Sequence, residues 1–421
     1  MLRKAAANHH VVLWGFCILS FLLRCYDLSA QPATDDDAGM ASSATNYLLS
    51  GMFGQVMQYH PPLRNLLVYL SGKIFGAYTA WGLKGPAVLT GSLTVPVVGY
   101  LAYSLFGNKR IAYLSAFFLC VDPLHINASR QVIQEASTTF FISLGILASV
   151  HGIRKDRIVW LYLSGAFFGL AAASKWHGLF PWAVSAGAYL AYPYFKPLAE
   201  GGRYPLARIL TFTAAYVAIP IAVYTAAYIP WFDRGHSLAE FLGLQLSLVK
   251  YQYLHKGTEY NEFMVPKRAY QWFLWPVPWF DFAFVQGRAS VGIAMGNFLV
   301  WGLTLPSLYY CIRTWFREKR FELGYVIALF LAAYLPMVLT TRGIWVLLAT
   351  PTILLAFILS AYALSGLIDA GRISRRLLAS YVVVVVMLSA VMYPMSIFKA
   401  LDYPWTKALA ELYTPHRGEV K

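Results

Sequence analysis

Long apolar stretches, each closed by charged residues, proline or glycine, recur along the whole chain. A helix needs roughly 20 apolar residues to cross a hydrocarbon core of about 30 Å. Eleven stretches meet or approach that length: 11–29, 86–106, 111–127, 133–151, 158–174, 178–195, 209–230, 290–312, 322–340, 343–367 and 377–399. The pattern predicts an all-α polytopic membrane protein, with about eleven transmembrane helices forming one domain over 1–421. Arg3 and Lys4 ahead of the apolar run 11–23 have the look of a signal peptide. Arg24 and Asp27 interrupt that reading, and ten more spans follow, so the first stretch reads as an uncleaved helix.

Loop charge supplies the orientation. With a cytoplasmic N-terminus, the inner loops hold Lys109-Arg110, Arg154-Lys155-Arg157, Lys196-Arg203-Arg208, Arg313-Arg317-Lys319-Arg320 and Arg372-Arg375-Arg376. Adding Arg3 and Lys4 gives seventeen basic residues against five acidic ones, Asp156, Glu200, Glu318, Glu322 and Asp369. Every inner loop is then basic, as the positive-inside rule requires, and the C-terminus falls outside. Three outer segments remain. Residues 31–85 carry an acidic triplet and two helical patterns, 38–50 and 63–77, the second with Leu63, Leu66, Leu67 and Leu70 on one face as in an interfacial helix. Residues 231–289 are rich in Trp and Tyr, which suits a headgroup layer or a groove for sugar or peptide. The third is the tail 400–421.

Composition agrees with this picture. The 421 residues are 58% hydrophobic and only 13% charged, about half the charge of a soluble domain. That excludes a disordered chain and argues against a soluble enzyme. The formal net charge of +15 would suggest nucleic acid in a soluble protein; here the inner loops account for most of it, and no nucleic-acid partner is expected. Cys17, Cys25, Cys120 and Cys311 show neither metal-ligand spacing nor a disulfide framework.

Ionisable residues at membrane depth are functional candidates by default. Asp35, Asp36, Asp37, His60, Asp122, His125, Arg130, Glu135, Lys175, His177 and Arg342 all fall at predicted outer helix ends. Both signs of charge converge there, which suits a reaction centre for a phosphorylated, lipid-borne substrate. The triplet also reads as a cap for the helix at 38–50, and Lys175 as a snorkelling lysine. The Lys175-Trp176-His177 cluster on the same side as the acids favours a site, and His60-Pro61-Pro62-Leu63 would aim His60 at it.

The ordered set of motifs resembles the protein O-mannosyltransferases, the dolichyl-phosphate-mannose-protein mannosyltransferase family, and their bacterial relatives in the GT-C class of lipid-carrier-dependent glycosyltransferases. Asp36-Asp37 stands at the family's Asp-Glu pair, and His60-Pro61-Pro62-Leu63 at its His-Pro-Pro-Leu. Ser129-Arg130 to Glu135 resembles its Ser-Arg…Asp segment, and Lys175-Trp176-His177-Gly178 its Lys-Trp-x-Gly. Trp272 to Pro276, Gly296-Asn297 and Arg342 extend the match, which runs from about residue 11 to 360. Three features depart from the family: Asp37 replaces Glu, Leu347-Leu348-Ala349-Thr350-Pro351 replaces His-Tyr-Leu-Pro, and 231–289 lacks a large soluble insert.

The resemblance implies transfer of a sugar, mannose in the first instance, from a polyprenyl-phosphate carrier to an acceptor hydroxyl of protein Ser/Thr or of a glycolipid. Transfer would occur at the outer face with inversion. Asp36 is the expected general base, with Asp37 binding the acceptor or placing a cation. Arg130, Lys175, Arg342 and Arg64 are the expected donor-phosphate contacts. His60, Glu135, Trp176 and His177 would bind substrate. No cofactor is certain; a divalent cation, Mg or Mn, would draw its ligands from Asp37, Glu135 and His60. The oligomeric state is left open. Aminoarabinose or another pentose transfer to lipid A or a glycolipid is the same-class alternative. A secondary transporter or lipid flippase is the alternative of another class; it would place charge near the midplane on broken helices and show internal repeats.

Overall fold

The computed structural model describes residues 2–29, 31, 35–51, 60–195, 205–254, 269–274, 279–285, 288–340 and 344–399. They are nearly all helical. The chain begins with α1 (Leu2–Cys25), α2 (Asp35–Ser50), α3 (Leu63–Phe75), α4 (Ala80–Phe106), α5 (Lys109–Val121) and the short α6 (Pro123–Ala128). It continues through α7 (Glu135–Lys155), α8 (Ile158–Ser174), α9 (Leu179–Phe195), α10 (Pro205–Thr213), α11 (Ile219–Ala226), α12 (Ile229–Phe232) and α13 (Leu238–Leu254). A two-stranded antiparallel hairpin follows, β1 (Trp279–Val285) and β2 (Arg288–Ala294), with Trp279 opposite Ala294. The chain then runs through α14 (Phe298–Trp301), α15 (Thr304–Glu318), α16 (Phe321–Leu339), α17 (Thr350–Asp369) and α18 (Arg375–Ser396).

Six described helical stretches are long and apolar enough to cross a membrane, and two shorter apolar ones accompany them, His9–Cys25 and Ile158–Ser174. Their surroundings differ. In the apolar window of 346–369, 83% of residues are buried, against 17% in α18 and in 206–226. Helix α17 is therefore the centre of the bundle, against α5, α7, α15 and α16. Helix α18 and the α10–α11 rod present Leu377, Val383, Met387, Leu206, Leu210 and Ile221 outward.

Polar contacts sort the helix termini into two ends. At one end, Arg110 pairs with Asp369 at 2.7 Å, Arg154 reaches the Leu105 carbonyl at 3.2 Å and Glu322 at 3.8 Å, and Asn108 meets Ser365 at 3.3 Å. The described basic residues Arg110 and Arg154 and their turns lie at this end. At the opposite end, Tyr393 donates to the Leu23 carbonyl (2.6 Å), Tyr47 to the Ala227 carbonyl (2.6 Å) and Asn127 to the Ser396 carbonyl (3.2 Å). The start of α7 and the end of α8 also lie at this second end. Helix termini that alternate along the chain are thus separated into two ends in space.

Two predicted spans take a different form. Run 290–312 opens as β2, turns at Met295–Asn297 and becomes helical only from Phe298. An apolar run alone does not distinguish strand from helix, and here Asn297 stops the strand by capping α14, its side-chain oxygen accepting from the Leu299 N–H. Run 111–127 breaks at Asp122, which caps α6 through the His125 N–H, with Pro123 in the first helical position. The interfacial reading of 63–77 meets α3, whose buried face is Leu63, Arg64, Asn65, Val68 and Ser71. Leu70, Ile74 and Phe75 face outward, so the open apolar edge lies one turn further along than Leu63 to Leu70 suggests. Asn127, which opens the sequence Asn127-Ala128-Ser129 with the pattern of an N-glycosylation site, is fully buried and hydrogen-bonded.

Between helices in a bilayer, small residues and interhelical hydrogen bonds do much of the holding. The antiparallel pair α7 and α8 uses both. A side chain at Gly145 would run into the Phe168 ring, and one at Gly152 into Leu161. Ser164 donates to the Gly145 carbonyl at 2.9 Å across the same seam. Because the pair is antiparallel and joined by a short turn, Glu135 at the start of α7 is brought level with Lys175 just past the end of α8. Gly145→Leu is expected to force this seam apart and lower stability by about 2–3 kcal/mol, read as a fall in Tm of the detergent-solubilised protein.

Candidate functional site

The second end of the bundle carries the sequence candidates. Asp35, Asp36 and Asp37 occupy the first turn of α2. Pro61 and Pro62 then set the entry to α3, with His60 half-buried just before them. Arg342 lies outside the described residues, as do Trp275, Pro276 and the tail 400–421.

Glu135 and Lys175 are brought together. Lys175 Nζ donates to Glu135 Oε1 at 2.5 Å, and both side chains are largely enclosed, at 13% and 9% exposure. Glu135 Oε2 is buried with no hydrogen-bond partner among the described residues. The pair therefore has an acceptor to spare beside a cation. Lys175 itself is extended, between α8 and a single tight turn at Trp176–Gly178. Gly178 lets that turn lie directly on α8, since any side chain there would meet the backbone of Ala171 and Ala172. Trp176 Nε1 donates to the Tyr224 hydroxyl at 3.1 Å. His177 points elsewhere, with Nε2 3.2 Å from Met337 Sδ.

Two expected phosphate contacts have a different setting. Arg130 is fully buried and donates through Nη1 to the carbonyls of Arg24 (2.6 Å) and Tyr26 (2.8 Å). It thus closes the C-terminal end of α1, where carbonyls lack helical partners. Arg64 is also buried and donates to the Val132 carbonyl at 2.9 Å and Gln134 Oε1 at 3.1 Å. It fixes the segment leading into Glu135. Sequence position gave both arginines the correct end of the molecule but not the direction of their side chains.

Asp122 and His125 belong to a buried polar frame. Asp122 Oδ1 accepts the His125 N–H at 3.0 Å, and Oδ2 accepts the Asn297 N–H (3.2 Å) and Trp301 Nε1–H (2.9 Å). Arg24 Nη2 lies 2.7 Å from His125 Nδ1. A guanidinium only donates, so Nδ1 is the acceptor and His125 is the neutral tautomer protonated at Nε2. Asn297 continues the frame to α18 through Ser389 Oγ (2.8 Å) and the Val385 carbonyl (3.1 Å). Sequence reasoning missed the roles of Asn297, Trp301, Tyr224 and Gln245, and it missed Lys84, a lysine only 3% exposed on α4. The Tyr224 and Tyr228 pair, one helical turn apart at the end of run 209–230, was the available signal. Among the described residues, no three His, Cys, Asp or Glu side chains cluster to hold a metal ion.

A sequence profile of the dolichyl-phosphate-mannose-protein mannosyltransferases matches residues 14–234. The chain belongs to this family. Its match includes the acidic turn of α2, the Glu135–Lys175 pair and Tyr224. The chain is similar to the polyprenol-phosphate-mannose–protein mannosyltransferase of Corynebacterium glutamicum, 21% identical over 390 residues that cover 76% of this chain and 73% of the relative. It spans less than half the length of other curated mannosyltransferases that it matches. Its fold is similar to the S. cerevisiae protein O-mannosyltransferase Pmt1-Pmt2 complex bound to the sugar donor, with a TM-score of 0.77 at 10% identity over 98% of this chain and 92% of that one. ArnT from Cupriavidus metallidurans has a TM-score of 0.59 at 17% identity over 89% and 62% of the respective chains. The protein is a GT-C membrane glycosyltransferase.

The frame around Asp122 generates a test of its own. In Asp122→Asn one oxygen becomes an amide donor, and on either side it faces an N–H that already donates. Stability should fall by about 2–3 kcal/mol, seen as a lower Tm in detergent, while the donor KM of the folded fraction stays at the wild-type value.

Proposed function

We propose that the protein transfers mannose from a polyprenyl-phosphate carrier to a Ser or Thr hydroxyl of protein, at the membrane face away from the basic loops. The observation that carries this reading is the Glu135–Lys175 pair, enclosed at the same end of the bundle as the acidic turn of α2. The names of the family and of its C. glutamicum relative supply the donor and the acceptor class.

An alcohol is a weak nucleophile until its proton leaves as the new bond forms, and a carboxylate in position provides roughly 10²–10⁴ in rate. Asp36 takes that part in this reading, and Asp37 binds the acceptor. As the glycosidic bond breaks, negative charge grows on the leaving lipid phosphate and requires a fixed cation. Lys175 is the residue best suited: its ammonium is partly accessible and, among the described residues, meets one carboxylate oxygen. Arg342 is the second phosphate contact by sequence. Arg130 and Arg64 hold the backbone that carries the site. The spare Glu135 Oε2 accepts a sugar hydroxyl, and His60 and Trp176 complete the surroundings of the substrate, while His177, turned toward Met337, is left out of them. A single displacement inverts the anomeric centre.

Transfer of aminoarabinose or another pentose to a glycolipid is the second reading, and the likeness to ArnT favours it at the level of fold. Supplying purified protein with polyprenyl-phosphate-mannose and an acceptor peptide, in parallel with a polyprenyl-phosphate-pentose and a glycolipid, separates the two. The expected outcome is mannosyl peptide only. Asp36→Asn should lower kcat by about 10²-fold or more with donor binding retained; turnover at the wild-type rate would remove Asp36 as the base. Lys175→Met should raise the donor KM about tenfold, and an unchanged KM would remove the phosphate role.

A further inference from the structure

Trp176 leads from the site into a network that the reaction scheme leaves unused. The Tyr224 hydroxyl donates its one proton to Gln245 Oε1 at 2.6 Å. Its two lone pairs then accept the Trp176 Nε1–H at 3.1 Å and the Tyr228 O–H at 3.1 Å. A phenol has one donor and two acceptor sites, so this oxygen is fully used. Three elements converge on it: the turn after α8, the end of α11, and α13.

The same end of α11 also holds α2. Tyr47 of α2 is fully buried and donates to the Ala227 carbonyl. Around these contacts lies a small core separate from the main one, built from Tyr47 and Leu63 on α2 and α3, Ala173 on α8, Ala227, Tyr228 and Trp231 after α11, and Phe241 on α13. The short stretch 224–228 is thus bonded on one side to the helix whose first turn holds Asp36 and on the other to the turn that directly follows Lys175.

We propose that Tyr224 is a positioning residue for the donor phosphate, setting where Lys175 stands relative to the acidic turn of α2. This rests on the reading that Lys175 meets that phosphate. Trp176 is the residue next to Lys175, and a tight turn with no slack at Gly178 passes any shift of the indole to the lysine. A displacement of 1 Å at a reacting centre is costly even when its origin is distant. Removing the hydroxyl of Tyr224 therefore acts on donor engagement through Trp176, without touching the substrate itself.

The test uses the full-length protein in detergent with polyprenyl-phosphate-mannose and an acceptor peptide, and compares Tyr224→Phe, Trp176→Phe, the double variant, Lys175→Met and Tyr224→Phe/Lys175→Met. Tyr224→Phe should raise the donor KM about fivefold, as for the loss of a hydrogen bond, with kcat and acceptor KM within about twofold. The double variant with Trp176→Phe should be no worse than the more impaired single one, because both cut the same chain. On top of Lys175→Met, Tyr224→Phe should add nothing. A donor KM unchanged in Tyr224→Phe, or effects that multiply in the Tyr224/Trp176 pair, would overturn the proposal. If Lys175→Met leaves the donor KM unchanged, it is the phosphate reading that fails; if Lys175→Met acts and Tyr224→Phe is silent, only the role of Tyr224 fails. Should Tyr224→Phe not fold, Gln245→Met removes the acceptor of the same proton from the half-buried side of α13 and must raise the donor KM in the same way.

Discussion

A charge drawn into a membrane-spanning bundle has little water to satisfy it, so its partners must come from the protein. That requirement sorts the cations at the site end into two kinds. Among the contacts of Arg24, Arg64 and Arg130 are backbone carbonyls, an amide oxygen, a serine hydroxyl and an imidazole nitrogen, with Arg130 Nη2 left unpartnered among the described residues. Those partners are fixed by the fold, and replacing them with a ligand would leave helix ends unsatisfied. Lys175 bonds to a carboxylate oxygen on a neighbouring helix. Another anion can share or replace that partner without unfolding anything. The difference between a structural cation and one available to substrate thus lies in what it is bonded to, and not in how deeply it sits.

The pair depends in turn on the α7–α8 seam. Antiparallel helices joined by a short turn align the start of one with the end of the other, and Gly145 and Gly152 set how closely they approach. Arg64 fixes the chain just before Glu135, and Gly178 seats the turn just after Lys175. Each partner is therefore held from both its helix and its flanking loop. This is the rigidity that a site built on element termini requires if its side chains are to remain within a fraction of an ångström of their working positions.

Much of this was legible in the chain, and the reasons for the misses are physical. Charge alternation between loops reports which helix ends lie together, and Arg110 with Asp369 and Arg154 with Glu322 meet where that alternation puts them. The residues of the site end were found because a charge beside an apolar run is rare. Their directions were not found, because Arg130 could turn toward a cavity or toward the carbonyls of α1 with the same sequence around it. Run 290–312 differs from its helical expectation because Val, Ile and Ala serve strand and helix alike until Asn297 imposes its cap. Tyr224 by itself gives no signal in the sequence, because a tyrosine near the end of an apolar helix usually marks the interface. Its bond to Trp176, 48 residues earlier, exists only in three dimensions.

The same argument explains why a glycosyltransferase of this kind would use a lysine held by a glutamate. A strongly anionic lipid phosphate has to be bound at one stage and released at another, so its cation must not be left bare between turnovers. A buried unpaired ammonium would be costly, and one locked to backbone carbonyls would be out of reach. In the proposed reaction Glu135 would supply an anion of comparable chemistry that occupies Lys175 when the carrier is absent, with its second oxygen left for a hydroxyl of the sugar. Donor binding on this reading adds a second anionic partner to Lys175 in the same enclosed space, so the cation is never left uncompensated and the carboxylate keeps its counter-charge. That arrangement works only while Lys175 stays where Glu135 can meet it, and the tight turn, the indole of Trp176 and the tyrosine behind it are the parts of the fold that hold it there.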